Sequence, residues 1–421
     1  MTMAIPAERE RRTTILAIAA YSVLRVLLIL STRAFETPDT ASYRSGQRTR
    51  PPVGAALLSW LSNEPYVLVS AIVSTAGFVA LAVALWDPAR RRWSVGVTTA
   101  LWLASLIPAV SIYEHWLVPD SVLVGLCLIA LALAWPQRAG RWVPWVIVPL
   151  CLVITATKEV GIGAVVLIAL VVVVRRSARL GGAILLSAAL LFVTVVLPCS
   201  NRHGAVLWNG PSDTELTMAR FRVIVAGLAW PDLSPELAVV HQRAGECGMD
   251  MTQLMFETFL VTDQVVGFEH CPDLWPAVDE VSQLDVLVAH ARHPAHIRSA
   301  VERGFAADMT AMSEWSGYRW GASWWLGLDR LLAAALALLP CAAAVVAVMR
   351  RRGRRLAMIA MLGTAMAFVS TLLDPSSQDR HSMVFRVVAA AVALMALTDA
   401  TAVEPADPAV DDLSQVDGPP V

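Results

Sequence analysis

Lysine is almost missing from this chain: of 33 basic residues in 421, one alone, Lys158, is a lysine. Charge of either sign is scarce as well, at 16% of residues against 57% hydrophobic ones, too little to clothe a soluble surface. An ordinary soluble domain is therefore excluded, and a net charge of −1 leaves no global basic field for nucleic acid. The patterns that announce well-known chemistries are absent too: there is no HExxH, CxxC, Walker, GxGxxG or GxSxG. The first apolar run, Thr14 to Leu30, has no small-residue cleavage site after it, so it reads as a retained helix rather than a signal peptide.

What the sequence does have is apolar stretches, near 14–31, 66–86, 94–113, 116–135, 142–157, 160–174, 180–198, 324–349, 356–373 and 383–398. A bilayer span needs roughly 17–25 such residues, so the pattern predicts an all-α polytopic membrane protein with about ten transmembrane helices. The short pair 142–157 and 160–174 reads as a hairpin whose tip, Lys158-Glu159, stops below the membrane surface.

Arginine sets the expected orientation. Alternate connections hold Arg9, Arg11 and Arg12, Arg90 to Arg92, Arg138 and Arg141, Arg175, Arg176 and Arg179, then Arg350 to Arg352 with Arg354 and Arg355. The opposite short loops hold fewer basic residues: Arg33, Arg44, Arg48, Arg50, Lys158 and Arg380. Both termini of a multi-pass plasma-membrane protein are thus expected in the cytoplasm. The divisions are 1–198, an N-terminal membrane region of about seven helices with a first outer loop at 32–65; 199–323, a large and mostly helical extracytoplasmic loop; 324–400, the C-terminal membrane helices; and 401–421, a disordered cytoplasmic tail rich in Pro, Asp and Ala. In the first loop, Pro51-Pro52 opens a stretch to Leu61 that suits a short interfacial helix.

Cys127, Cys151 and Cys341 lie in apolar runs, whereas Cys199, Cys247 and Cys271 lie in the outer loop, a compartment that permits disulfides. Cys247 with Cys271 is the favoured pair, although spacing does not choose among the three pairings.

Ionisable residues gather at the outer helix ends, where burying charge near lipid is costly enough to need a reason. They are Asp39 with Tyr43, then Glu114, His115 and Asp120, then Lys158 and Glu159, and finally Asp374, Asp379, Arg380 and His381. Asp39 suits a general base for an attacking hydroxyl or a ligand for a divalent cation, and equally an Asx-turn or helix cap after Pro38. Lys158 suits a lipid phosphate, or neutralisation of Glu159. Arg380 suits a bidentate phosphate contact, or a salt bridge to Asp374 or Asp379. His290, His293 and His296 share a spacing of three, but Pro294 interrupts the helix that would align them, which argues against zinc. No cofactor is called for with certainty; a divalent cation fits the carboxylates.

The order of these features resembles the GT-C superfamily of polyprenyl-phosphate-sugar-dependent glycosyltransferases, which includes the protein mannosyltransferases and the aminoarabinose transferases. Asp39 with Tyr43 resembles the first-loop Asp-x-x-x-Tyr pattern, and Arg50-Pro51-Pro52-Val53-Gly54 resembles the Arg-x-Pro start of the interfacial helix. Glu114, in Tyr113-Glu114-His115, resembles the acidic residue closing the third helix, and Arg380 resembles the Arg-Tyr start of the last hairpin, with His381 in place of tyrosine. The resemblance implies inverting transfer of a sugar from a polyprenyl-phosphate donor to an extracytoplasmic glycan, lipid or protein. It casts Asp39 as the base, Lys158 and Arg380 as stabilisers of the departing phosphate, and Tyr43, Arg50, Glu114, His115, Glu159 and His381 as substrate-binding residues. Two rivals remain open: an O-antigen polymerase or ligase type leaning on Arg292, His293 and Arg298, and a transporter or flippase of lipid-linked glycans, which would favour inverted repeats and midplane charges.

Overall fold

The structure, a computed structural model, describes residues 4–30, 34, 40, 43–44, 51–106, 117, 119–135, 140, 142–158, 160–196, 223–224, 226–227, 230–247, 272–297, 323–373 and 380–402. Every regular element among them is helical. In chain order these are α1 (Ala4–Leu30), α2 (Pro52–Trp60), α3 (Asn63–Leu85), α4 (Arg91–Leu106), α5 (Asp120–Ala134), α6 (Val143–Thr157), α7 (Gly161–Arg175), α8 (Ala178–Leu191), α9 (Pro235–Glu246), α10 (Leu274–Asp279), α11 (Gln283–Arg292), α12 (Ser323–Arg350), α13 (Arg354–Leu373) and α14 (Arg380–Ala400). Each of the ten apolar stretches carries one of these helices. By length and composition, four segments among the described residues are fit to cross a membrane: Arg12–Leu30, Asn63–Leu85, Ala178–Val196 and Ser382–Ala400. The chain is a membrane protein.

Burial sorts the helices. α5 buries residues around its whole circumference, from Asp120 to Ala134, and packs against α3, α6, α7 and α14. Its crossing with α3 is set by two glycines. A Cβ on Gly77 would sit 2.6 Å from the Gly125 carbonyl oxygen, and one on Gly125 2.5 Å from that of Val73. Small residues that let backbones touch are how helices associate where no hydrophobic effect drives them together. α1 lies at the edge, with Leu16, Val23, Leu24 and Leu27 exposed as a lipid-facing stripe would be.

The cross-links define two ends of the bundle. At one end, Lys158 beyond the C-terminus of α6 meets Asp120 at the start of α5, and Ser70 near the start of α3 hydrogen-bonds Ser121. At the other end, arginines close the helices. Arg176 donates to the carbonyls of Leu133, Ala134 and Trp135 at 2.5, 3.2 and 3.1 Å, satisfying the open C-terminus of α5. Arg175 pairs with Asp399 at 2.8 Å, Arg90 donates to the Thr398 carbonyl at 2.9 Å, and Arg352 to that of Ala402 at 3.1 Å. Arg90, Arg175, Arg176 and Arg352 therefore share the end of the bundle opposite the lysine.

Between α8 and α12, the described parts of the large loop form short helices with a core of their own. Val223, Trp230, Leu237, Val240, Leu274, Val278, Val286 and Ala289 pack together and take in Leu372 from the end of α13, with Phe368 alongside. α11 starts with a capping box: Ser282 receives the Asp285 N–H while the Asp285 carboxylate receives the Ser282 N–H. Cys247 is disulfide-bonded. Its partner lies outside the described residues, since the described Cys127, Cys151 and Cys341 are free.

His290 is buried in this core, edge-on to the Trp230 ring at 4.6 Å between centroids, and neither ring nitrogen hydrogen-bonds a described residue. Burial, with a smaller push from His296, brings its pKa down to about 4. An unfolded histidine binds a proton near 6.5, so between pH 6.5 and 4 the open loop takes up a proton that the packed loop refuses. Stability from His290 is full above that window and is lost as pH falls through it. Amide protection in residues 235–246 and 283–292, measured as exchange relative to the intrinsic rate at each pH, is expected to fall from pH 7 to pH 5, and His290→Phe should blunt that fall. Equal protection at both pH values in the parent protein would contradict the assignment.

Candidate functional site

Lys158 sits in extended backbone at the end of α6, φ −158° and ψ 155°, and is 1% exposed. Its Nζ lies 2.5 Å from Asp120 Oδ1, and the Asp120 side chain is fully buried. The sequence offered Glu159 as the neutralising partner; the structure supplies Asp120 instead, from another helix. Glu159 itself lies outside the described residues.

Around the pair, the first loop and α3 close the site. Tyr43 and Tyr66 are both fully buried, Tyr66 within electrostatic reach of Asp120 and Tyr43, in a cluster with Ile29, Ala55, Leu58, Leu117 and Val122. Thr40, the residue after Asp39, donates from its hydroxyl to the Leu117 carbonyl at 3.0 Å, and Arg44 bonds Asn63. α2 is placed by Gly54. A Cβ there would overlap the Thr157 carbonyl oxygen and come within 3.2 Å of the Pro119 ring and of the Tyr43 ring. So α2 lies directly on the two chain segments that carry Lys158 and Asp120. Pro51 and Pro52 suit the start of this helix, since a proline in the first turn forfeits no helical hydrogen bond.

Gly54→Ala is expected to force α2 away from the Thr157 backbone, which cannot yield as a side chain would. A loss of about 1–3 kcal/mol in detergent-resistant stability should follow. A thermal-melt comparison with Ala55→Gly, which removes a methyl from the same helix, checks it; equal effects would argue that α2 is merely weakened.

Of the residues singled out from sequence, the structure brings Tyr43, Asp120 and Lys158 to one site. Asp39, Arg50, Glu114, His115 and Glu159 lie outside the described residues. Arg380 opens α14 and His381 follows it, at the same end of the bundle as Lys158, with their side chains outside the described ones. Among the histidines, α11 ends at Arg292 and His293 takes non-helical angles, so His290 faces the core while His293 and His296 meet edge-on at 6.3 Å. Among the described residues no three potential ligands gather for a metal.

Sequence reasoning passed over a polar strip inside the bundle. Tyr66, Ser70 and Ser74 follow one face of α3 at i, i+4 and i+8. Ser70 bonds Ser121, and further along Arg25 of α1, 1% exposed, donates to Thr75 at 2.7 Å, Ser74 at 3.1 Å and the Ser105 carbonyl at 3.4 Å. Its guanidinium also stands 5.3 Å from the Phe78 ring centre, and Tyr21 one turn earlier bonds Ser105 at 2.6 Å. The available clue was an arginine inside the first apolar run, where a charge demands partners.

No family model matches the chain, and no curated protein matches it. A solved structure, the crystal structure of ArnT from Cupriavidus metallidurans in the apo state, aligns with 92% of this chain and 78% of that one at 17% sequence identity and a TM-score of 0.35. A likeness of that degree does not place the chain in a family.

Proposed function

We propose that this chain is a membrane glycosyltransferase of the GT-C type, moving a sugar from a polyprenyl-phosphate donor to a glycan, lipid or protein acceptor outside the cytoplasm. One observation carries the reading: the sole lysine is buried with Asp120 beneath the first-loop helix, at the end of the bundle opposite Arg90, Arg175, Arg176 and Arg352. With arginines on the cytoplasmic side, that end faces out, where lipid-linked sugars are consumed.

In the proposed reaction the acceptor hydroxyl gives its proton to Asp39 and its oxygen attacks the anomeric carbon. The bond from that carbon to the phosphate oxygen breaks, and its electron pair leaves on the phosphate, with inversion. An ammonium has three N–H donors, so Lys158 can share itself between Asp120 and a phosphate oxygen; Arg380 adds a second cation at the departing group. Tyr43, Arg50, Glu114, His115, Glu159 and His381 complete the walls of the site. A divalent cation at the carboxylates is compatible with this scheme and is not required by it.

Incubating the purified protein with a panel of polyprenyl-phosphate sugars and acceptor glycans tests the reading. One donor should be consumed with stoichiometric release of polyprenyl phosphate. Movement of intact donor across a sealed vesicle, with none consumed, would favour a transporter instead.

A further inference from the structure

We propose that a shallow, open groove at the arginine-rich end of the bundle is a binding site for the phosphate headgroup of an anionic membrane lipid. The groove has a volume of about 430 Å³ and is lined by Ala89, Arg90, Arg91, Arg92, Trp93 and Thr401. Its floor is built rather than incidental. Asp87 accepts from the Ala89 N–H at 3.0 Å and holds Arg90 through its other oxygen at 2.8 Å. Arg90, by its hydrogen bond, keeps the Asp87 carboxyl below its ordinary pKa, so the pair stays charged. Ser94 closes the turn, accepting from the Asp87 N–H at 2.8 Å and donating to its carbonyl at 2.9 Å. Arg90 then reaches α14, at the Thr398 carbonyl and the Thr401 hydroxyl, and the Trp93 indole N–H donates to the Thr398 hydroxyl at 3.3 Å. One guanidinium is thus fixed in the wall, and those of Arg91 and Arg92 stand exposed at the rim.

Planar guanidiniums suit phosphate, which takes two parallel N–H donors from each. A lipid rather than a free anion is indicated by what continues from the rim. Arg91, Val95, Thr99 and Leu103 follow at intervals of four along α4, and all are exposed. The two apolar ones are 46% and 51% exposed and offer a track for an acyl chain leading away from the phosphate. Basic pockets between helices at the cytoplasmic surface are where anionic headgroups bind. The site is separate from the lysine end, so the proposal stands or falls independently of the enzymatic reading.

The test uses the full-length protein in neutral-lipid nanodiscs, titrated with phosphatidylglycerol and read by native mass spectrometry. Arg91→Gln/Arg92→Gln should weaken retention of phosphatidylglycerol about tenfold or more, while Arg354→Gln/Arg355→Gln, on exposed arginines outside this groove, should leave it unchanged. Equal loss in both double variants would reduce the effect to general attraction by positive charge and overturn the site. Displacement by inorganic phosphate at matching concentration would make it a free-anion site. Binding that appears only after truncation behind Ala402 would assign the groove to the carboxylates of the chain's own tail, among them Glu404 and Asp407; that result, too, would overturn the proposal.

Discussion

Asp120→Leu and Lys158→Met, each made alone, are expected to cost about 3–5 kcal/mol of stability, because each leaves its partner's charge buried without compensation. Both side chains are 1% exposed or less and lie 2.5 Å apart, so water cannot easily replace the lost partner. The double variant, Lys158→Met with Asp120→Leu, removes both charges at similar volume and should recover most of the loss. Thermal melts of the four proteins in one detergent give the coupling directly. Additive losses in the double variant would mean that the two side chains are not partners.

Asp39→Asn should lower turnover by about 10² to 10⁴ while leaving the melt unchanged. An amide keeps the shape of the carboxylate and its capacity to cap a turn, but it cannot take the acceptor's proton. An Asp39 that merely caps a turn would leave turnover per folded molecule intact as well as the melt. Thr40, the next residue in sequence, is anchored on Leu117, three residues before Asp120.

Much of the helical framework was legible because apolar length is a one-dimensional signal. Ten stretches were read and each carries a helix, though with ends displaced, as at 94–113, where α4 starts at Arg91. The first-loop helix was legible from Pro51-Pro52, and Lys158 from its rarity. The partner of Lys158 was not: Asp120 is 38 positions away in sequence, and local reading favoured the adjacent Glu159. Gly54 was quoted only as part of a motif, since the need for a bare Cα against the Thr157 carbonyl arises from a close approach that no local pattern encodes. Arg25 was passed over because one charge in a long apolar run does not disturb the reading of a span, and its partners are two hydroxyls of α3 and a backbone carbonyl of α4. The hydroxyl strip on α3 follows helical spacing and could be read from sequence, but serine alone is too common in membrane helices to single out a face.

The enzymatic account rests on Lys158, held by Asp120, acting on a phosphate rather than merely closing the bundle. The direct measurement is single-turnover consumption of polyprenyl-phosphate sugar by the Lys158→Met/Asp120→Leu protein, once its melt shows it folded. The account predicts donor loss slower than the parent protein by at least about 10²-fold, as expected when a charge that stabilises the leaving group is removed. A folded double variant that consumes donor at the parent rate would contradict it, and would leave the buried pair a purely structural tie between α5 and α6.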